Sequence, residues 1–360
     1  MGGERQIGLD AVRGIAILLV LLFHFNQPVG VGAFDMLLGP FRTTGWIGVE
    51  LFFVLSGFLV GGIVLAENAT NAGFDWRRFL LRRAFRLWPI LYLYVAALAL
   101  GGVAWSGVWP VLLHIQNYSD NARSHLWSLA VEEHFYLLAA IGLPWLARIA
   151  SPRQIFGTLA GLIVAVNVLR LGAVAGNVSW YHVHNFTQFR LDALTAGVLL
   201  AAVKLHRPDL FASLQRRRIL LLLMAISGCV IIAFNFDVLR NGSIDLTLAW
   251  LAAVPLVIAA SDLEVRGALV RPTRLMAALG LIAYPLYIWH ILIGNIASIA
   301  LQGFGVVDPL TIAIGRFACA IGLALLLHRM VELPCMALRE RIGPLSRAQR
   351  KSVRPLQECA

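Results

Sequence analysis

An acid, an arginine and a histidine share the first apolar run of the chain. Leu9-Asp10-Ala11-Val12-Arg13 leads through hydrophobic sequence to Phe23-His24-Phe25. Read as an α-helix, the eleven-residue step from Arg13 to His24 returns to within about 20° of the same face and rises about 16 Å. Asp10 lies three residues before Arg13, where it can pair with it. A guanidinium can hold a phosphate or a carboxylate. An imidazole can act as a general base near neutral pH. Charged groups inside an apolar span are costly and face a protein interior or a watery cavity, so this helix presents a polar stripe.

Two further stretches carry comparable chemistry. In Trp76-Arg77-Arg78-Phe79-Leu80-Leu81-Arg82-Arg83-Ala84-Phe85-Arg86-Leu87-Trp88-Pro89, Arg78, Arg82 and Arg86 recur at i, i+4 and i+8, and Arg83 and Arg86 at i, i+3. This spacing predicts a basic amphipathic helix lying along the inner membrane face. It serves either as an orientation device against lipid headgroups or as a clamp for a phosphorylated ligand. In Trp127-Ser128-Leu129-Ala130-Val131-Glu132-Glu133-His134-Phe135-Tyr136, two adjacent acids open a span. They point about 100° apart, so they are not expected to face one cavity. One can cap the helix, and the other can orient or deprotonate a partner; the sequence does not choose between Glu132 and Glu133.

Other polar residues sit at the ends of spans. Arg190 and Asp192 are i, i+2 and do not face each other, so at least one is expected to pair with another helix; both are also carried as substrate-binding candidates. His290, in Tyr284-Pro285-Leu286-Tyr287-Ile288-Trp289-His290, is either a substrate contact or a buried hydrogen-bonded ring. Pro285 is expected to kink that span beside a cavity. Gly45, Gly48, Ser56 and Gly57 read as small residues that let helices approach closely. Ser56 has no partner base in sequence, which favours packing over nucleophilic chemistry. Glu50 is an acid near the outer end of its span.

The elements that must position these residues are membrane helices. The 360 residues are 59% hydrophobic and only 14% charged, with mean hydropathy +0.77; a soluble domain carries about 25% charged residues. The fold class is all-α, a polytopic bundle. Ten candidate spans fall near 9–27, 45–66, 87–105, 127–147, 155–175, 187–205, 219–236, 244–261, 275–300 and 309–330. With both termini cytoplasmic, 23 of the 30 arginines and lysines fall on inner segments and three, Arg42, Arg123 and Arg240, on outer loops. That asymmetry follows the positive-inside rule. The formal charge of +11 is then a topology signal, directed at anionic lipid and not at nucleic acid. The buried Asp10 and Arg13, with no small-residue cleavage site, argue that the first span is retained. Cys229, Cys319, Cys335 and Cys359 show neither disulfide nor zinc spacing, and no metal site is expected. Residues 5–335 read as one transmembrane domain and 336–360 as a short basic cytoplasmic tail.

These motifs, in this order, resemble the acyltransferase-3 family of integral-membrane acyltransferases. The resemblance rests on Leu9-Asp10-Ala11-Val12-Arg13-Gly14 with the ten-residue gap to His24, on Gly48 through Phe58, and on Arg82-Arg83-Ala84-Phe85-Arg86-Leu87-Trp88-Pro89. Trp127-Ser128-Leu129 with Glu132-Glu133-His134-Phe135-Tyr136, Arg190-Leu191-Asp192-Ala193-Leu194 and the 284–290 segment extend it over about 5–335. The family usually carries glutamine at position 134, where this chain has a histidine. The resemblance implies transfer of an acyl group, often acetyl, from cytosolic acyl-CoA to a hydroxyl of an envelope, secreted or lipid-linked carbohydrate. It implies a bacterial inner-membrane location and an essential Arg13 and His24. A stand-alone membrane domain is expected, without the soluble hydrolase-like domain that some members append. Arg82, Arg83 and Arg86, with Arg78, would hold the donor's phosphates, and Arg13 would be the next cation inward. His24 would act as general base or form an acyl-histidine, with Glu132 or Glu133 orienting it. A continuous tunnel from the arginines to His24 is expected. The rival reading is a polytopic transporter or flippase for a glycolipid or small anionic solute, which ten spans without an internal repeat disfavour.

Overall fold

The computed structural model describes residues 6–25, 27–70, 73–119, 124–241 and 243–342, with backbone alone at 124, 236–241 and 342. Asp120, Asn121, Arg123, Arg5, Cys359 and the tail beyond 342 lie outside the described residues. Every element among the described residues is helical. Where lipid offers no hydrogen bonds, a helix satisfies its backbone within itself.

The chain opens with α1 (Ile7–His24), a short α2 (Gly32–Thr44), α3 (Ile47–Asn68) and α4 (Trp76–Leu100). A loop carrying α5 (Trp109–Leu112) leads to α6 (Trp127–Ile149), then α7 (Pro152–Ala175) and α8 (Trp180–Asn185). Next come α9 (Leu191–His206), α10 (Pro208–Gln215), α11 (Arg218–Asn241) and α12 (Ile244–Ala260). The chain closes with α13 (Val270–Leu281), α14 (Ala283–Gly303), α15 (Pro309–Leu327), a π turn over 328–332, and α16 (Leu333–Ile342).

Among the described residues, seven helical stretches are long and apolar enough to cross a membrane: α1, α3, α4, α7, the part of α11 up to Asn235, α14, and the run from α15 through Arg341. The other three expected spans coincide with α6, α9 and α12. α6 carries Glu132, Glu133 and His134. α9 has 16 residues and α12 has 17, about 24 and 26 Å of helix, short of the ~30 Å hydrocarbon layer.

Three local expectations change. The basic segment is no separate surface helix: Trp76 to Leu100 is one helix of 25 residues, with Pro89 inside it. Its first turn is capped by Asp75, whose carboxylate accepts from the Arg78 backbone N–H. The expected span 275–300 is two helices, broken at Ile282. Pro285 sits in the first turn of α14, where its missing N–H costs nothing, and so starts a helix where a kink was expected. The body also runs past 335: α16 packs on α4, and Arg82 donates to Glu340 at 2.7 Å.

Small residues set how close the helices come. A Cβ on Gly57 would stand 1.9 Å from the Leu194 carbonyl oxygen, and one on Gly197 2.1 Å from that of Val54. α3 and α9 are therefore in backbone contact. Gly14 and Gly280 do the same for α1 and α13, at 1.9 Å from the Met276 oxygen and 2.0 Å from the Asp10 oxygen. Gly48 and Gly45 approach the α1 carbonyls of Ala16 and Leu19. Of the four residues read as packing positions, the three glycines act so. Ser56 instead faces a cavity.

Two buried ion pairs fasten the rest. Arg190, just before α9, donates to Glu50 of α3, and its guanidinium lies 4.9 Å from the Trp127 ring centre. Arg170 of α7 meets Asp192 of α9 at 2.7 Å, and the same Asp192 oxygen accepts from Trp250 Nε1 of α12 at 2.9 Å. All four charged groups are at most 2% exposed. Removing one partner of such a pair costs about 3–5 kcal/mol, because the other is left buried and unpaired.

Candidate active site

The central cavity, about 820 Å³, lies among α1, α3, α4, α6, α13 and α14. Each helix contributes at a helical period. α4 brings Arg83 and Arg86, three residues apart; α6 brings Ser128, Glu132 and Tyr136, four apart; α14 brings Tyr284 and Tyr287. α1 supplies Arg13, held by Asp10 at 3.0 Å. α3 adds Phe52 and Ser56. Three guanidiniums against one carboxylate in its lining make the chamber cationic, and aromatic side chains form part of its low-dielectric wall. In such surroundings each charge acts more strongly on a ligand than it does in water.

Hydrogen bonds fix the polar wall. Tyr136 donates to Glu132 Oε2 at 3.3 Å, and the Ser56 hydroxyl lies 3.1 Å from the Tyr136 oxygen. The Arg83 guanidinium sits 5.1 Å from the Tyr136 ring centre. Tyr284 donates to the Leu87 carbonyl at 2.6 Å, tying α14 to α4.

The paired glutamates part company. Glu132 enters the central cavity; Glu133 faces a second opening between α4 and α6, beside Trp88, His114 and His134. Arg83 lines both. Neither acid caps α6, which starts five residues before Glu132. His134 Nδ1 lies 2.7 Å from Thr187 Oγ1. In the loop after α5, burial, with the neighbouring His134 adding to it, pushes the His114 imidazole down to about 4.

His24 stands elsewhere. It does not line the central cavity, so that cavity does not by itself join the arginines to His24 as a continuous tunnel would. Its surroundings are a second cluster: the His290 ring at 4.8 Å between centres, and beyond it His125 at 5.6 Å from His290. Tyr287 joins the two regions. It lines the cavity, donates its O–H to the His125 carbonyl at 2.6 Å, contacts Ser128 at 2.6 Å, and has its ring 6.1 Å from His290. The His24 Nδ1–H donates to the Val20 carbonyl at 2.9 Å, one turn back along α1. A carbonyl only accepts, so Nδ1 carries the proton and Nε2 keeps its lone pair, as a base requires.

The sequence candidates thus divide into groups. Arg13, Arg83, Arg86 and Glu132 line one chamber, with Asp10 behind Arg13. His24 and His290 touch each other. Arg82 pairs with Glu340, Arg78 lies in the first turn of α4, and Glu133 faces the lateral opening. Arg190 and Asp192 are held in the buried ion pairs and do not line the chamber. Sequence reading passed over Tyr136, Tyr284 and Ser128. The steps 128–132–136 and 284–287 are helix-face repeats and could have been read outward from Glu132 and His290. Glu340 offered no such signal.

The chain spans about half the length of the Staphylococcus aureus O-acetyltransferase OatA. It is 25% identical to it over 317 residues, covering 79% of this chain and 49% of that protein. It is 28% identical over 178 residues to the peptidoglycan O-acetyltransferase OatA of Listeria monocytogenes, covering 43% of this chain and 27% of that protein. No solved structure matches it. A family model described as an acyltransferase domain matches residues 6–329, nearly the whole described body, and with that match the chain belongs to the acyltransferase-3 family.

Proposed function

We propose that the protein is a multi-pass bacterial inner-membrane O-acetyltransferase. It moves an acetyl group from cytosolic acetyl-CoA to a hydroxyl of an envelope carbohydrate. The observation that carries this reading is the cationic chamber of Arg13, Arg83 and Arg86 with Glu132 and an aromatic wall. The relatives named O-acetyltransferases support the acyl group and the carbohydrate class of acceptor.

The chemistry follows from the groups present. With the start of α4 on the cytoplasmic side, the donor's phosphates meet Arg86 and Arg83, and Arg13 binds further in. The pantetheine arm extends toward Ser128 and Tyr287. His24 Nε2 takes the proton of the acceptor hydroxyl, a role worth about 10²–10⁴-fold. Tyr287 and His290 lie on the way from the chamber to that imidazole, so transfer requires this aromatic layer to move as the substrates bind. Glu132, bonded to Tyr136, orders the wall beneath Arg83 and does not orient His24.

The test is mass spectrometry of envelope glycans from cells with and without the intact gene, beside acetyl-CoA consumption by the purified protein. Glycans lighter by one acetyl unit without the gene, and acetyl-CoA consumed only when that glycan is supplied, are the expected results. Identical glycans, with no acetyl-CoA turnover on glycans taken from the deleted strain, would overturn the reading.

A further inference from the structure

Arg316 is a cation inside an apolar span, and no opposite charge meets it. It lies in α15, part of a stretch long and apolar enough to cross a membrane. Arg13, Arg170 and Arg190 each hold a carboxylate, and Arg83 and Arg86 share the chamber with Glu132. Among the described residues no acid pairs with Arg316, and its buried Nε has no hydrogen-bond partner. Asp308, the acid nearest to it in sequence, is spent on capping α15: it accepts from the Thr311 backbone N–H at 2.8 Å and from the Thr311 hydroxyl at 2.6 Å. An unpaired charge at such a position is costly, and charges of this kind mark substrate routes.

Its neighbours hold the guanidinium by its face. The group lies over the Phe25 ring, 4.3 Å from the ring centre, and Phe317 meets the same ring edge-on at 5.1 Å. Gly294 of α14 leaves the room for this stack: a Cβ there would stand 2.8 Å from the Phe25 ring and 3.5 Å from Arg316 Nε. Stacking occupies the face of a guanidinium. Its five N–H donors lie in the plane, as a fork that fits two oxygens of a carboxylate or a phosphate. Phe25 directly follows His24, and its ring is 6.0 Å from that of His290, which meets His24 at 4.8 Å. The cation therefore stands at the His24 end of α1, about 18 Å along that helix from Arg13.

We propose that Arg316 binds an oxyanion, a carboxylate or a phosphate group, carried by the carbohydrate acceptor. The proposal rests on the function given above, in which the donor's phosphates occupy Arg83 and Arg86 and His24 meets the acceptor hydroxyl. A sugar with one hydroxyl at His24 has the rest of its surface at the Phe25 end of α1, where the free fork is. A negative group there gains a two-pronged, charge-assisted contact in low-dielectric surroundings. That contact also fixes which hydroxyl faces the imidazole. A neutral sugar leaves the cation unmatched, so the site selects acidic acceptors.

Two readouts on the full-length protein test this. The first is phenylglyoxal modification of Arg316 in phospholipid-free detergent, followed by peptide mass spectrometry. The probes are inorganic phosphate, a tetrasaccharide of alternating glucuronate and N-acetylglucosamine, and the same tetrasaccharide with its carboxylates reduced to alcohols. The acidic tetrasaccharide or phosphate is expected to slow modification at least about threefold, and the reduced tetrasaccharide to leave it unchanged. The second is acetyl transfer to envelope glycan from the deleted strain. Arg316→Gln raises KM for the glycan about tenfold and leaves kcat and KM for acetyl-CoA within about twofold. Arg316→Lys, which keeps the charge and loses the fork, recovers part of that KM. On glycan stripped of carboxylates and phosphates, Arg316→Gln changes nothing. No protection by either anionic probe, or an Arg316→Gln loss just as large on the neutralised glycan, overturns the proposal. If bilayers of phosphatidylglycerol shield Arg316 and neither anionic probe shields it in detergent, the cation serves a lipid headgroup and the proposal fails. If the wild-type protein transfers no acetyl group, the proposed function fails, and protection of Arg316 still decides whether an anion site stands there.

Discussion

Glu132 and Glu133 are neighbours in sequence and strangers in chemistry. One helical step of about 100° sends the first into the cationic chamber and the second toward the opening between α4 and α6. Their substitutions must therefore differ. Glu132→Gln removes the carboxylate that lines the chamber with Arg13, Arg83 and Arg86 and weakens the Tyr136 bond that shapes the wall. Acetyl-CoA turnover is expected to fall at least tenfold. Glu133→Gln is expected to stay within about twofold. Equal losses in a steady-state assay of both variants would contradict this division. The angular separation was legible from the sequence. Which acid faced the chamber was not, because that depends on how α6 is rotated against α3 and α4, and long-range packing sets the rotation.

Helix contacts in this bundle rest on glycines that no side chain can replace. Gly57 faces the Leu194 carbonyl of α9, and a backbone oxygen cannot step aside as a side chain could. Gly57→Ala is expected to cost about 1–3 kcal/mol, read as a lower unfolding midpoint in detergent. A variant as stable as wild type would show that α3 and α9 do not approach this closely. Such contacts were readable at Gly45, Gly48 and Gly57, since small residues in apolar spans mark close approach. Their partners on other helices were not readable. Breaks were harder still. Apolar composition runs continuously through Ile282, yet two helices meet there, and Pro285 marks a helix start that hydropathy alone reads as a mid-span kink. The reverse error occurred at Trp76–Leu100, where a charged half and an apolar half suggested two elements and one helix carries both.

Across the whole molecule, the all-helical bundle follows from composition, because a chain this apolar in lipid has few other ways to satisfy its backbone. The placement of its charges divides by use. Arg190, Glu50, Arg170 and Asp192 lock helices together, whereas Arg13, Arg83 and Arg86 converge on open space. Sequence could mark such charges as costly but not sort them, since the sorting depends on how the helices that carry them pack against one another. The His24 and His290 rings touch beside the chamber, and Tyr287 links them to it, lining the chamber with its ring 6.1 Å from that of His290.

On the proposed function, donor binding belongs to the chamber and proton transfer to His24. Steady-state transfer from labelled acetyl-CoA, measured on purified wild type, Arg86→Ala and His24→Ala, tests it most directly. Arg86→Ala is predicted to raise KM for acetyl-CoA about tenfold with kcat nearly intact. His24→Ala is predicted to lose at least about 10²-fold in kcat while inserting and folding normally. Wild-type kcat in His24→Ala, or an unchanged KM in Arg86→Ala, would contradict the account.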